Sequence, residues 1–257
     1  MKTYNEIKLT HPKLYLLGDL HRDSDYFFNA VKSNGGIKDA DIIVLGDVGL
    51  GFNYREVGLN GEVNYIPLND VEFLQAFEEW CKGANVNLWL FRGNHDNPTL
   101  FDNTNKLFKG LNYVRCLTEG DVVVTNTDKR FLIVPGGYSI DRTSHVRIPE
   151  RSYWKDEHVK YNFFKKFEAK NIYGVLAHTG PLPPSLMTDT SFIDYWKRFD
   201  KKLENDLKKE RKEVDNIIKH FGVKVWYNGH YHLSEVFNHN NCDVTVIGIG
   251  ELFEMKD

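Results

Sequence analysis

Short apolar runs rich in β-branched and aromatic residues recur along the chain, each closed by Gly, Asn or Asp: KLYLLGD, DIIVLGD, NLWLFRGN, DVVVT, RFLIVPGG, IYGVLAH, VKVWYNGH and DVTVIGIG. Runs that are apolar throughout, rather than alternating, belong to strands covered on both faces. Helical periodicity occupies intervals around residues 26–32, 71–82 and 153–168. Strands alternating with helices predict a layered α/β architecture. DVVVTNTDKRFLIV has the form of a hairpin, so a mixed sheet is expected.

A chain of 257 residues with 41% hydrophobic side chains has enough apolar material for one large core, and a single domain spanning 1–257 is expected. Lys and Arg number 33 against 36 Asp and Glu, a net charge of -3, which excludes the strongly basic face of a nucleic-acid binder. Cys81, Cys116 and Cys242 lie far apart and form no CxxC pair, so neither a disulfide framework nor a thiolate zinc site is predicted. No stretch approaches the roughly eighteen apolar residues of a membrane span, and the amino terminus lacks the apolar core of a signal peptide. A soluble, cytoplasmic protein is expected.

The most charged stretch, KRFDKKLENDLKKERKEVDNIIKHFG, places Phe199, Leu203, Leu207, Val214, Ile217, Ile218 and Phe221 on one helical stripe. Its acids and bases are interspersed, which predicts a solvated outer face rather than a binding surface, and Gly222 should end the helix. Residues 49–70 contain four Gly and little periodicity, so a loop excursion is expected there.

Five of the strands end in polar clusters. LGDLH supplies Asp19 and His21, LGDVG supplies Asp47, RGNHD supplies Asn94, His95 and Asp96, LAHTG supplies His178, and YNGHYH supplies His230 and His232. The run GNHD makes a poor core and, with Pro98 close behind, a poor helix interior. Loops at the carboxyl ends of strands are where open α/β sheets place their sites. Carboxylate, imidazole and amide donors without thiolate suit Mn²⁺, Fe²⁺, Zn²⁺ or Ni²⁺. Seven candidate ligands exceed the needs of one tetrahedral zinc, which favours two ions and a bridging carboxylate.

In this order and spacing, GD-x-H, GD, GNHD, H and GH-x-H resemble the calcineurin-like metallophosphoesterase superfamily over residues 18–232. The resemblance implies an α/β/β/α sandwich of two mixed sheets flanked by helices. It also implies that Asp19, His21 and His232 hold one divalent ion, that Asn94, His178 and His230 hold the other, and that Asp47 bridges them. Manganese is the leading expectation, with iron, zinc or nickel as alternatives. His95 matches the family's non-ligand histidine facing the scissile ester, and Asp96 the acid that orients a neighbour. The implied reaction is hydrolysis of a phosphomonoester or phosphodiester by a metal-bound hydroxide, with His95 stabilising the leaving oxygen.

Residues 135–157, PGGYSIDRTSHVRIPERSYWKDE, place Arg142, Arg147 and Arg151 near Tyr153 and Trp154. This stretch is either an exposed loop or a substrate wall, since guanidinium groups grip phosphate and aromatic rings stack on bases. It resembles the GGAYS-like segment of bacterial and phage-type members. The second block, GDVGLGF, lacks the acid and arginine of the GD-x-VDRG block of phosphoprotein phosphatases, leaving Arg22, Arg142 or Arg147 to bind phosphate. Phosphoproteins and nucleotides stay open as substrates, while the absence of a basic face disfavours a processing nuclease. A non-catalytic scaffold is the remaining alternative, although such a protein is expected to lack ligands and none is missing here.

Overall fold

The computed structural model describes residues 5–52, 69–102, 105–144, 147–168 and 171–256, with the backbone of 55–57 and 63–65. In chain order the elements begin with β1 (Glu6–Lys8), β2 (Lys13–Leu17), α1 (Ser24–Ser33), β3 (Ala40–Val44), β4 (Arg55–Val57), β5 (Val63–Tyr65) and α2 (Asp70–Ala84). They continue with β6 (Val86–Leu90), β7 (Val114–Cys116), β8 (Val122–Val124), β9 (Arg130–Val134), α3 (Tyr161–Phe164), β10 (Gly174–Ala177), α4 (Pro184–Thr188) and α5 (Ser191–Lys197). The long helix α6 (Leu203–Phe221) then precedes β11 (Val225–Asn228), β12 (Glu235–His239), β13 (Cys242–Val246) and β14 (Leu252–Met255).

Two mixed sheets result. One has seven strands in the order β1-β8-β9-β10-β11-β13-β12, parallel except for the β8/β9 hairpin and the β12/β13 pair. The other runs β14-β2-β3-β6-β7, with only β14 antiparallel. Alternate side chains of each strand point to opposite faces. Leu16, Ile43, Trp89, Phe131, Ile133 and Leu176 therefore meet in a core between the sheets. On the outer face of the smaller sheet, Leu17, Ile42, Val44 and Leu88 pack with Phe27 of α1 and Phe77 of α2. On the outer face of the larger sheet, Leu132, Val175 and Trp226 pack with Phe164 of α3 and with Val214 and Ile217 of α6. The expected helix–sheet–sheet–helix layering follows.

Register aligns the strand ends that matter. Leu17 pairs with Val44 and Val44 with Leu90, so the loops after β2, β3 and β6 leave the small sheet at one level. Ala177 likewise pairs with Val134 and with Asn228, which aligns the exits of β9, β10 and β11.

Three expectations require correction. Within 153–168 only Tyr161–Phe164 is helical. The Glu157 carbonyl there accepts hydrogen bonds from Gly137 and Arg92, and its carboxylate accepts from the Ser139 and Trp154 amides, so tertiary hydrogen bonds override the periodicity. Helix α6 starts at Leu203, leaving Phe199 before it and 60% exposed. The rest of its stripe is buried as expected, together with Glu210, which the pattern did not single out, and Gly222 caps it with φ 59°. Within 49–70 the short ladder of β4 and β5 forms, while residues 53, 54, 58–62 and 66–68 lie outside the described residues. Cys81, Cys116 and Cys242 are free and buried, and no described helix is long and apolar enough to cross a membrane.

Candidate metal centre

Strand register brings the five polar blocks to one edge, and glycines let them touch. Gly93 lies flat against Asp47, and Gly229 against Asp19; a Cβ at either position would run into the carboxylate. Asp19 accepts the His230 amide on both carboxylate oxygens at 3.1 Å, joining the first block to the last. Asp47 accepts the His95 amide at 2.7 Å, joining the second block to the third. His21, Asp47, His230 and His232 all have positive φ, between 45° and 68°. Such backbone is strained by about 1–3 kcal/mol per residue and concentrates at functional sites.

Around Asp47 the seven expected ligands converge. Ligand atoms of Asp19, His21, Asp47 and His232 lie within 4.8 Å of one another. His21 Nε2 stands 2.9 Å from His232 Nε2, 3.7 Å from Asp19 Oδ2 and 3.8 Å from Asp47 Oδ2. On the other side, His178 Nε2 lies 3.2 Å from Asp47 Oδ1, 2.8 Å from Asn94 Oδ1 and 3.2 Å from His230 Nδ1. Asp47 thus turns one carboxylate oxygen to each group. His232, with its side chain 46% exposed, stands at the solvent side, whereas Asp19, Asp47 and His178 are buried.

The donor set suits a cation. His178 Nδ1 faces the Leu45 carbonyl at 2.8 Å and donates its proton there, leaving Nε2 with a lone pair. Asn94 donates its amide nitrogen to Ser139 Oγ at 3.0 Å, so its oxygen is the atom turned inward. A lone pair facing an amide oxygen, a carboxylate and another imidazole is a buried cluster of acceptors, relieved by a proton or a metal ion. Burial alone would push His178 down, but Asp47 and then Asp19 outweigh it and raise it to about 9. Burial would likewise raise Asp47, yet the surrounding His178, His95 and His21 hold it well below the carboxylate range. His230 is pushed down to about 3 by burial and by His178.

His95 projects beside this cluster. Its ring stacks on Phe52 with centroids 4.7 Å apart and 2° between planes, and meets His21 edge-on at 4.7 Å. Arg147 donates to its Nε2 at 2.6 Å. Burial first, and then Arg147, hold His95 well below the usual imidazole range, so it is neutral with its proton on Nδ1. That Nδ1 is buried and has no hydrogen-bond partner among the described residues.

The three candidate phosphate-binding arginines separate. Arg22 pairs with Asp70 and lies 4.3 Å over the Phe73 ring, turned to α2. Arg142 bonds Asp200 and Asp206, each at 2.6 Å. Only Arg147 of the three touches the cluster, through His95, and it is tied to Asp141 by two bonds and to the Ser152 carbonyl.

A family model described as calcineurin-like phosphoesterase matches residues 12–234 of this chain. The chain belongs to the calcineurin-like phosphoesterase family. No curated protein gives a significant match to this phosphoesterase-family chain. Among solved structures it is similar to phosphopantetheinyl hydrolase from Mycobacterium tuberculosis (11% identity over 93% of this chain and 90% of that one, TM-score 0.49). It is also similar to GAP50, the anchor in the inner membrane complex of Plasmodium (13% identity, 93% and 71% covered, TM-score 0.45). A third is a putative 5'-nucleotidase from Staphylococcus aureus in complex with alpha-ketoglutarate (13% identity, TM-score 0.45), where the match covers 94% of this chain but 50% of that one.

Phe52 and Ser139 lie inside the quoted GDVGLGF and PGGYS stretches, yet nothing in those stretches marked either one as a contact of this calcineurin-like site. Phe52, under His95, sits in a segment without periodicity. Ser139, which holds Asn94, lies in the GGYS segment, and Glu157 fixes it by accepting the Ser139 amide at 2.7 Å. Asp96 accepts amides of Val48, Gly49, Leu50 and Gly93 at 2.7–3.1 Å and so ties the second and third blocks together.

Proposed function

We propose that the chain is a phosphoric ester hydrolase that works with two divalent ions. The observation that carries this reading is the division of ligands about Asp47. Asp19 and His232 gather with His21, which faces one carboxylate oxygen, and Asn94 and His230 gather on His178, which faces the other. Manganese is the leading candidate, with iron, zinc or nickel open to the same oxygen and nitrogen donors. When bound, such a pair clamps a phosphoryl group and makes a water nucleophilic near neutral pH.

The protein's own residues supply the rest. Water adds to phosphorus, the bond to the leaving oxygen breaks, and a proton released by that water ends on the leaving oxygen, which a hydrogen bond stabilises meanwhile. His95 is suited to meet it: Arg147 occupies Nε2, so the unpartnered Nδ1–H is the group available to the leaving oxygen. Phe52 and Arg147 fix the ring plane. Both monoesters and diesters of phosphate fit this chemistry, on a nucleotide, a phosphoprotein or another small molecule.

The test is hydrolysis of aryl phosphomonoester and phosphodiester substrates by metal-stripped protein titrated with Mn²⁺, Ni²⁺ and Zn²⁺, beside His95→Ala. Expected are metal-restored turnover, uptake approaching two ions per chain, and a loss of roughly a hundredfold or more in the variant. Tight uptake of two ions with silence toward both esters would overturn the reading in favour of a non-catalytic scaffold.

A further inference from the structure

A cavity of about 280 Å³ opens on the candidate metal centre, with Asp47, Asn94 and His230 in its wall. A second, of about 240 Å³, adjoins it and touches none of the seven candidate ligands. Leu182, Leu186, Ile193, Leu207 and Arg211 line both, and so mark the end of the first cavity away from the ligands. Four of these are apolar, and Arg211 is a cation.

Arg211 differs from the charged side chains around it. In the second cavity Lys197 pairs with Asp194 at 3.2 Å and Glu204 at 3.1 Å, and Lys208 with Glu204 at 2.7 Å. In the wall of the first, Asp141 is held by Arg147, and Asp189 accepts the Ser191 amide at 3.1 Å. Half-buried on α6, Arg211 makes no side-chain hydrogen bond or ion pair among the described residues. None of its nitrogens is among the buried polar atoms without a partner, so the guanidinium reaches open space. The two cavities border it, and its charge is felt in the wall of the first. Burial raises the Glu210 carboxyl and the Tyr231 phenol there, and the Arg211 charge opposes the rise in each. A guanidinium among apolar walls gains most from a carboxylate or a phosphate, which it grips through two parallel hydrogen bonds. The hydrolytic reading leaves it unused.

We propose that Arg211 binds a second anionic group, a carboxylate or a phosphate, carried by the alcohol portion of a small organic phosphoester. The scissile phosphate would lie at the ligand end of the first cavity, the apolar middle against Leu182, Ile193 and Leu207, and the remote anion at Arg211. The inference rests on the hydrolase reading for its substrate and narrows it. A neutral alcohol portion would fill the apolar wall and leave the guanidinium unanswered. Carboxylate and phosphate both answer it, and binding separates them.

The experiment is calorimetry on the metal-loaded protein with non-hydrolysable phosphonates on propyl, pentyl and heptyl spacers, each ending in a methyl, a carboxylate or a second phosphonate. At the spacer that fits, an anionic tail should bind roughly tenfold or more tighter than the methyl tail. Whichever anion is tighter identifies the group. Arg211→Met should abolish that preference and leave the methyl-tailed probe unchanged, while Arg211→Lys keeps part of it. Lys208→Met, which removes a cation already paired with Glu204, should retain it in full. A methyl tail as tight as the anionic tails at every spacer, no binding of any probe, or a preference unchanged in Arg211→Met overturns the proposal. So does a preference lost equally in Arg211→Met and Lys208→Met, which would mark a general field rather than a site. Aryl phosphate hydrolysis by the unsubstituted protein, measured alongside, separates the two readings. Turnover without the preference removes only this inference, and the preference without turnover removes only the hydrolase.

Discussion

Arg147 donates to Nε2 of His95 at 2.6 Å, and the same guanidinium bonds both oxygens of Asp141 and the carbonyl of Ser152. A cation pinned on one ring nitrogen fixes the proton on the other. In the proposed hydrolysis Arg147 would therefore act through His95, with the imidazole a neutral hydrogen-bond donor rather than an imidazolium.

Replacing Arg147 by Met should free Nε2, let the proton redistribute between the ring nitrogens, and reduce metal-dependent turnover by roughly tenfold to a hundredfold. Bound metal should stay unchanged. Nitrogen-15 shifts of His95 report the tautomer directly. An unaltered tautomer with unaltered turnover would remove Arg147 from the mechanism.

Asp96 accepts four backbone amides, two on each carboxylate oxygen. In Asp96→Asn an NH₂ group would confront amides that need an acceptor, leaving buried donors unpaired. A loss of about 3 kcal/mol in stability is expected, read from denaturant unfolding. Metal affinity should fall with it, since Asp47 and Asn94 sit on the two loops that Asp96 joins. Stability within a few tenths of wild type would show that the loops are held by other contacts.

The strands and the polar blocks that follow them were legible because both are local. KLYLL, ADIIV and VNLWL carry their own propensity, and the glycines after them announce the turns. What the sequence hides is long-range pairing. Arg22, Arg142 and Arg147 look alike in one dimension, but Asp70 claims the first and Asp200 with Asp206 the second. The helix expected over 153–168 shrinks to one turn because Glu157 spends its hydrogen bonds on Ser139, Gly137 and Arg92. Glu210 lay unnoticed on a charged helix, since nothing in its neighbours distinguishes a buried Glu from a solvated one.

Gly93→Ala tests close approach at the centre. The added Cβ would run into the Asp47 carboxylate, whose two oxygens face His21 and His178. The outer layers do not depend on that contact, so circular dichroism should stay native while chelator competition shows metal affinity reduced by roughly tenfold or more. Wild-type affinity in this variant would mean that Asp47 can shift without consequence for the ions.

Stability should depend on pH through Glu210, whose burial raises its carboxyl from an ordinary 4.5 to about 7. Below pH 4.5 the folded and unfolded chains both hold this proton and the group contributes no difference. Between about 4.5 and 7 the unfolded chain releases the proton while the folded chain keeps it, so stability falls as pH rises, by about 3 kcal/mol in all at this site. Glu210→Gln cannot ionise and removes that loss. Wild type and variant should therefore run parallel below pH 4.5 and diverge up to about pH 7, the variant becoming the more stable, and then hold a constant gap. Urea midpoints across this range provide the measurement. A gap independent of pH would show that Glu210 titrates in the folded chain as an ordinary carboxylate.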